Sequence, residues 1–236
     1  MGLDRDDLIS VINDLKEKRQ CFQSEDDFKF ALALEIKEKY PTAEIRLEKP
    51  MWNDQTKRKK YLDIFLKFPE ESKKGIGIEV KYVTAEFNVS INDEQYHLTT
   101  HGAYDVRSYD CLLDIERLEE FIGHGKLDYG YALWLTNAKN FWRPPKNNNR
   151  KTNYGQFRIN EGRKINREEE LKWREGTAEG TKKGRESPIK LKHNDYKIHW
   201  ESYSSFGGTN LTPPRNGSKT VGYPSNEFKY SLNEIR

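Results

Sequence analysis

Two short strand-like runs stand near the middle of the chain, residues 60–68 (KYLDIFLKF) and residues 75–82 (GIGIEVKY). Each run is apolar enough for a buried strand, yet Asp63 stands in the first and Glu79 in the second. Burial without a partner costs on the order of 2–7 kcal/mol even for an uncharged polar group, and more for a carboxylate. These two residues therefore need a metal ion or an opposite charge beside them, and they are the first candidates for chemistry.

The alternation of side chains along a strand places these charges on particular faces. Glu79 and Lys81 point to the same side of their strand because side chains alternate with a period of two. By the same rule we expect Asp63 to share a face with Tyr61 and Phe65. If the two runs pair as antiparallel neighbours across the polar turn between them, both carboxylates and the ammonium group converge.

A converging pair of carboxylates predicts a metal ion. Two carboxylates that lie within a few ångströms of each other repel, and they resist joint ionisation unless a cation sits between them. Mg²⁺ fits best, since it prefers a few carboxylate oxygens together with water and a substrate phosphate.

The motif is an aspartate, fifteen intervening residues and then Glu-x-Lys at the end of an apolar strand. It resembles the PD-(D/E)XK nuclease superfamily, which has the restriction-endonuclease-like fold. Leu62 stands where the proline of the superfamily's name would be, a departure that is common there and leaves the chemistry intact.

The resemblance implies a role for each residue of the motif. Asp63 and Glu79, together with the backbone carbonyl of Val80, would hold one or two Mg²⁺ ions, with Mn²⁺ as a substitute. Lys81 would orient or deprotonate the attacking water and steady the charge that develops on the phosphate. Ca²⁺ would bind without supporting turnover.

A helix upstream of the strands supplies a further candidate. Ser24 is a favourable N-cap, and an apolar stripe with i, i+4 spacing follows at Phe28, Leu32 and Ile36. In the superfamily such a helix carries an early glutamate, which the resemblance assigns to Glu25, with Glu35 as the alternative. Acidic residues are also favoured in any first helical turn by the helix dipole, so Glu25 has a purely structural explanation as well.

The order of the predicted elements indicates an α/β protein with a restriction-endonuclease-like αβββαβ core, a mixed sheet flanked by helices. Residues 1–137 form this core, 138–194 form a long basic insertion, and 195–236 contribute C-terminal strands that complete the same domain. The predicted elements are helices at 4–19, 24–40 and 103–122 and strands at 43–48, 60–68, 75–84, 128–136, 196–203 and 228–235, with an irregular stretch at 85–102.

Polar residues outside the motif have two interpretations each. On the third helix, Arg107, Asp110, Asp114 and Arg117 line one face, either as a surface ladder of ion pairs or with Arg107 or Asp110 supporting the site. Glu48 ends the first predicted strand near the site, either as a further metal ligand or, more simply, as a solvent-facing residue.

Composition limits the class of protein. The chain has 236 residues, 34% of them hydrophobic and 33% charged, which suits one domain with a modest core and a large appendage. Two cysteines, Cys21 and Cys111, are too few for a disulfide scaffold or a zinc site. No apolar run reaches transmembrane length and the N-terminus does not resemble a signal peptide, so we expect a cytoplasmic protein without a membrane partner.

The basic insertion predicts a polyanionic partner. Residues 139–194 contain 16 Lys and Arg against 7 Asp and Glu, a net charge of +9, and five aromatic residues are interspersed among them. Positive charge next to stacking surfaces is typical of nucleic-acid binding. We assign the phosphate contacts to Lys146, Arg150 and Lys151; the alternative is an unstructured insertion that charge keeps soluble.

The sequence therefore predicts a Mg²⁺-dependent nuclease that hydrolyses nucleic acid, DNA before RNA and most simply as an endonuclease. The alternative is a catalytically inactive nucleic-acid-binding protein on a nuclease scaffold, and a third possibility is a plain interaction module. A homodimer is an open possibility, because enzymes that cut both strands are frequently dimers.

Overall fold

The computed structural model describes residues 2–52, 59–69, 74–145, 152–207 and 224–236. The chain begins with two capped helices, α1 (Arg5–Lys18) and α2 (Glu25–Lys39). Asp4 and Asp7 form a capping box at the start of α1, and the Ser24 hydroxyl accepts a hydrogen bond from the Asp27 N–H at the start of α2. Both predicted helices are therefore confirmed, and so is Ser24 as the N-cap of α2.

The remaining elements alternate short strands with helices. In chain order they are β1 (Glu44–Trp52), β2 (Lys59–Lys67), β3 (Ile76–Val83), β4 (Phe87–Ile91), β5 (Glu94–Leu98), α3 (Tyr104–Gly123), β6 (Tyr129–Ala138), α4 (Lys139–Trp142), a 3-10 turn (Gly155–Phe157), β7 (Lys164–Ile165), β8 (Glu170–Leu171), α5 (Glu179–Lys182), β9 (Ile189–Lys190), β10 (Tyr196–Lys197), β11 (Glu201–Ser205) and β12 (Pro224–Ile235).

Six of these strands form one mixed sheet in the order β1-β2-β3-β6-β12-β11. The central pair, β3 and β6, is parallel, and every other neighbouring pair in this sheet is antiparallel. The predicted α/β class with a mixed sheet and flanking helices is confirmed. The C-terminal strands β11 and β12 belong to this same sheet.

The sheet separates two apolar layers. On one face α1 and α2 pack with Ile76, Ile78 and Val80 of β3. On the other face α3 packs with Trp134 of β6 and with buried residues from the region 138–200. A strand that is covered on both faces reads as a continuous apolar run, which explains the composition of β3 and β6.

Three predicted elements differ from the structure. Residues 85–102, expected to be irregular, contain the β4–β5 hairpin, whose turn residues Asn92 and Asp93 have left-handed φ angles of 49° and 67°. The first strand continues past Glu48 to Trp52, and the run 196–203 is divided between β10 and β11.

The insertion is more ordered than its composition indicates. Its described parts, 138–145 and 152–194, form short paired strands and turns that pack against α3. Its five aromatic rings turn inward: Phe141, Trp142 and Phe157 are buried, and Tyr154 and Trp173 are half-buried against rings of α3. The interpretation of these rings as stacking surfaces is therefore wrong, because they fill a second core instead.

Within the described ranges, no helix is both long enough and apolar enough to cross a lipid bilayer.

Candidate active site

The site is built around a fork between two strands. β2 and β3 pair only from Ile64 opposite Ile78 to Leu66 opposite Ile76, whereas β3 continues its pairing with β6 as far as Val83. Beyond Ile78 the edge of β3 that faced β2 is left open. Backbone N–H groups on such an edge need other partners.

Side chains supply those partners at every second residue of β3. The Val80 N–H donates to Asp63 Oδ2 at 2.8 Å, and the Tyr82 N–H donates to Glu25 Oε2 at 2.8 Å. The next N–H on this edge, that of Thr84, lies 3.3 Å from His101 Nδ1. The fork therefore places two of the predicted carboxylates, one from β2 and one from α2, beside the Glu-x-Lys strand.

The predicted alternation holds on β3. Glu79 and Lys81 point toward α3, and each meets an opposite charge there: Glu79 Oε1 lies 3.1 Å from an Arg117 nitrogen, and Lys81 Nζ lies 3.0 Å from Asp114 Oδ2. Lys81 Nζ also donates to the Val80 carbonyl at 3.0 Å. The Val80 carbonyl lies on the same open edge of β3 as the Val80 N–H. Its oxygen, which the sequence predicts as a metal ligand, therefore faces the fork.

The alternation fails on β2, at Asp63. Leu62 and Phe65 both pack on the α3 side of the sheet, although residues three apart in a regular strand point to opposite faces. Asp63 contacts Lys29 on the α2 side. Opposite Asp63, Glu48 has a left-handed φ of 50°. The expectation that Asp63 and Phe65 share a face is therefore wrong, because the ladder between β1 and β2 is distorted at this point.

Four carboxylates surround the Lys81 ammonium. Burial by itself lowers the pKa of Lys81, but the charges of Asp114, Glu25, Asp63 and Glu79 outweigh burial and raise the pKa above its ordinary value. Lys81 is therefore a firmly protonated cation at the centre of an acidic site.

Burial also acts on the carboxyl groups. Glu79 and Asp114 have side chains that are only 1% and 2% exposed. Burial raises the pKa of Asp114 to about 6, and burial followed by the charge of Asp114 raises the pKa of Glu79 well above its ordinary value. Burial likewise raises the pKa of Glu25. Burial thus favours the protonated form of each of these three carboxyl groups.

Two buried carboxylate oxygens already have a cation beside them. Glu79 Oε1 and Asp114 Oδ2 lie at ion-pair distance from Arg117 and Lys81 but make no hydrogen bond of acceptable geometry. In the part of the chain that is described, no group of three or more His, Cys, Asp or Glu side chains is arranged as a metal site. Of the oxygens that the sequence predicts as metal ligands, Asp63 Oδ2 lies at the Val80 N–H on the open edge of β3, whereas Glu79 points to α3 and pairs with Arg117. Carboxylate oxygens are the ligands that Mg²⁺ prefers, together with water and phosphate.

The site contains three charged residues that the sequence did not assign to it, although it placed Asp114 and Arg117 on the polar face of the third helix. Lys29 of α2 is buried, and its ammonium lies 3.0 Å from Asp26 and 3.5 Å from Asp63 and also contacts Glu48. Asp114 and Arg117 reach the site from α3. The available signal for Lys29 was its position four residues after Glu25, on the same side of α2.

The alternatives left open by the sequence are now distinguishable by position. Glu25 lies at β3, whereas Glu35 forms a 2.9 Å ion pair with Lys18 away from the fork. Asp110 pairs with Arg185 at 2.6 Å, so neither it nor its neighbour Arg107, 3.8 Å away, makes a described contact with the motif residues. Lys146, Arg150 and Lys151, the predicted nucleic-acid contacts, lie outside the described residues.

No protein-family model, curated protein or solved structure matches this chain.

Proposed function

We propose that the chain is a metal-dependent nuclease that hydrolyses phosphodiester bonds within nucleic acid, with DNA as the substrate. The observation that carries the proposal is the fork itself: the Asp63 carboxylate accepts the Val80 N–H, and the Lys81 ammonium donates to the Val80 carbonyl. The succession α2, β1, β2, β3, α3, β6, with the β4–β5 hairpin inserted after β3, supports a restriction-endonuclease-like core, which is the arrangement that the resemblance implies.

Oxygen donors at the fork suit Mg²⁺, with Mn²⁺ as a substitute. Asp63, Glu79 and the Val80 carbonyl would hold the ion, and Lys29 would orient the Asp63 carboxylate from the side. A bound Mg²⁺ would lower the pKa of the attacking water and offset the negative charge of the transition state.

Lys81 acts as a positive charge rather than as a base. The four surrounding carboxylates hold its pKa above the ordinary value, so the ammonium keeps its proton at neutral pH. It can donate hydrogen bonds to the attacking water and to a phosphate oxygen, but it is a poor proton acceptor. Of the two roles that the resemblance implies for Lys81, orientation of the water is the one that this environment favours.

Glu25 is a positioning residue in this proposal. Its carboxylate accepts a hydrogen bond from the N–H of Tyr82, the residue after Lys81. This bond holds the part of β3 that does not pair with β2. Because Glu25 also contributes negative charge around Lys81, it helps to keep the ammonium protonated.

A second candidate function is nucleic-acid binding without catalysis. It is favoured by one observation: Arg117 contacts Glu79 and Asp114 at 3.1 and 3.4 Å, so a guanidinium already neutralises part of the acidic site. A protein that had lost its metal would keep the fold with these ion pairs.

Cleavage of supercoiled plasmid and of a matched RNA with Mg²⁺, Mn²⁺ and Ca²⁺ separates the two candidates. We expect Mg²⁺-dependent nicking of DNA that Asp63→Asn and Glu79→Gln abolish, while Glu35→Gln, a carboxylate of the same helix layer outside the fork, retains it. Circular dichroism and DNA affinity in EDTA check that the variants fold and bind. Full activity of Asp63→Asn or Glu79→Gln would refute the assignment, and binding without cleavage by the wild type would favour the second candidate.

A further inference from the structure

A two-stranded arm extends from the site along β1 and β2. Its described residues are 49–52 and 59–62, and the register pairs Trp52 with Lys59 and Pro50 with Tyr61. Directly paired residues of an antiparallel ladder share a face, so Trp52 and Tyr61 lie diagonally on one face. Asp63 follows Tyr61 by two residues, which places the aromatic face about 7 Å along the strand from the predicted metal ligand.

Both aromatic rings of this arm are unusually exposed. Trp52 is 55% and Tyr61 is 47% exposed, whereas Trp134, Trp142 and Trp200 are buried. The main chain beneath the rings is nonetheless held in place, because Lys126 donates to the Trp52 carbonyl and Arg117 donates to the Tyr61 carbonyl. The rings are therefore presented on a fixed backbone.

The charge of the arm matches a polyanion. Its eight described residues contain no acidic residue, and of its three lysines Lys59 lies on the aromatic face, whereas Lys60 pairs with Glu120 on the opposite side. The Lys59 ammonium lies 4.7 Å from the centre of the Tyr61 ring, so a cation and a stacking surface occur side by side.

We infer that the arm binds unpaired nucleotides of the substrate next to the scissile phosphate, with Trp52 and Tyr61 stacking on bases. Exposed aromatic rings beside lysines are the means by which proteins hold single strands, since every base has a face for stacking. Bases inside a duplex already stack on each other and do not offer that face. The inference rests on the proposed nuclease function, and it names the substrate class as single-stranded DNA or a single-stranded segment beside a duplex.

Binding measurements in EDTA test the arm without relying on activity. We propose fluorescence anisotropy with a labelled 20-nucleotide single strand and with a blunt duplex of the same sequence. Each of Trp52→Ala and Tyr61→Ala should raise the Kd for the single strand roughly 5- to 150-fold, the range for loss of one stacked base. Trp52→Phe should retain most of the affinity. Phe30→Ala removes a ring that is also 55% exposed, but on α2, and should leave the Kd unchanged.

Intrinsic fluorescence provides a second reading. Because Trp52 is the most exposed tryptophan in the chain, the single strand should quench part of the emission, and Trp52→Phe should remove that quenching. An unchanged Kd in both alanine variants would overturn the inference, as would an equal loss of affinity for the blunt duplex. A change of oligomeric state in these variants without a change in Kd would show that the rings bind protein instead.

The outcome also separates this inference from the proposed nuclease activity. If the wild type binds the single strand through the arm but does not cleave it with Mg²⁺, the nuclease proposal fails and the arm stands. If the wild type cleaves and the two alanine variants bind as the wild type does, only the arm fails. If the wild type binds neither the single strand nor the blunt duplex, the inference that the arm binds nucleotides is overturned.

Discussion

Replacement of Lys81 by methionine removes the charge at the centre of the site while keeping a side chain of similar length. The Lys81 side chain is 16% exposed and Asp114, its partner at 3.0 Å, is 2% exposed, so solvent screens this ion pair only weakly. Removal of one partner of a buried ion pair typically costs about 3–5 kcal/mol, because the other charge stays buried and uncompensated. We expect Lys81→Met to lose that amount of unfolding free energy at pH 8, roughly 6–20 °C in Tm for a domain of this size.

The loss should shrink as the pH falls. Glu79 and Asp114 have raised pKa values in the folded protein, so between the ordinary carboxyl pKa and the raised values the folded state binds more protons than the unfolded state. Stability that depends on such groups decreases as the pH rises through this window. Without the Lys81 ammonium the carboxyl pKa values rise further, and the decrease should become steeper.

Urea unfolding of the wild type and Lys81→Met at pH 5, 6, 7 and 8 measures this effect. Lys39→Met is the matched control, since its ammonium is 31% exposed and pairs with an Asp14 side chain that is 47% exposed, and it should cost within about 1 kcal/mol at each pH. A loss in Lys81→Met no greater than that of the control, or one that grows toward pH 5, would refute the assignment of Lys81 as the buried counter-ion of the acidic site.

Two further predictions test the helix carboxylates and the packing behind the site. Glu25→Gln should slow cleavage more than Glu35→Gln, because Glu25 holds the Tyr82 N–H whereas Glu35 pairs with Lys18; equal small effects on the initial rate would show that Glu25 does not position β3. Gly77→Ala should lower the unfolding free energy by about 1–3 kcal/mol in urea, since a Cβ there would lie 2.6 Å from Leu127 Cδ1. Gly102→Ala, where no atom lies within 4 Å of the added Cβ, is its control, and equal stability of the two variants would contradict the close packing.

The motif residues were accessible from the sequence because their relation is local. Period-two alternation placed Glu79 and Lys81 on one face, and the short turn between two apolar runs made Asp63 their neighbour. Glu25 was accessible for a similar reason, since an N-cap and an apolar stripe define where a helix starts and which side it buries.

The aromatic residues illustrate where composition misleads. In the basic insertion the rings that suggested base stacking pack inward on α3, whereas Trp52 and Tyr61 of the β1–β2 arm remain exposed. Composition is the same whether a ring faces the core or the solvent. Only the packing of neighbouring elements determines which rings are covered.

From the sequence alone one can predict the α/β class, the order of the main helices and strands, and the candidate site residues Asp63, Glu79, Lys81 and Glu25. The balance of their charges requires the folded structure, because Lys29, Asp114 and Arg117 come from helices that are distant in the chain and meet at the fork. Helix capping and the alternation of side chains along a strand act over a few residues, so a sequence is enough to predict them. Electrostatic neutralisation of a buried group depends on distance in space, so it becomes visible only after the layers have packed.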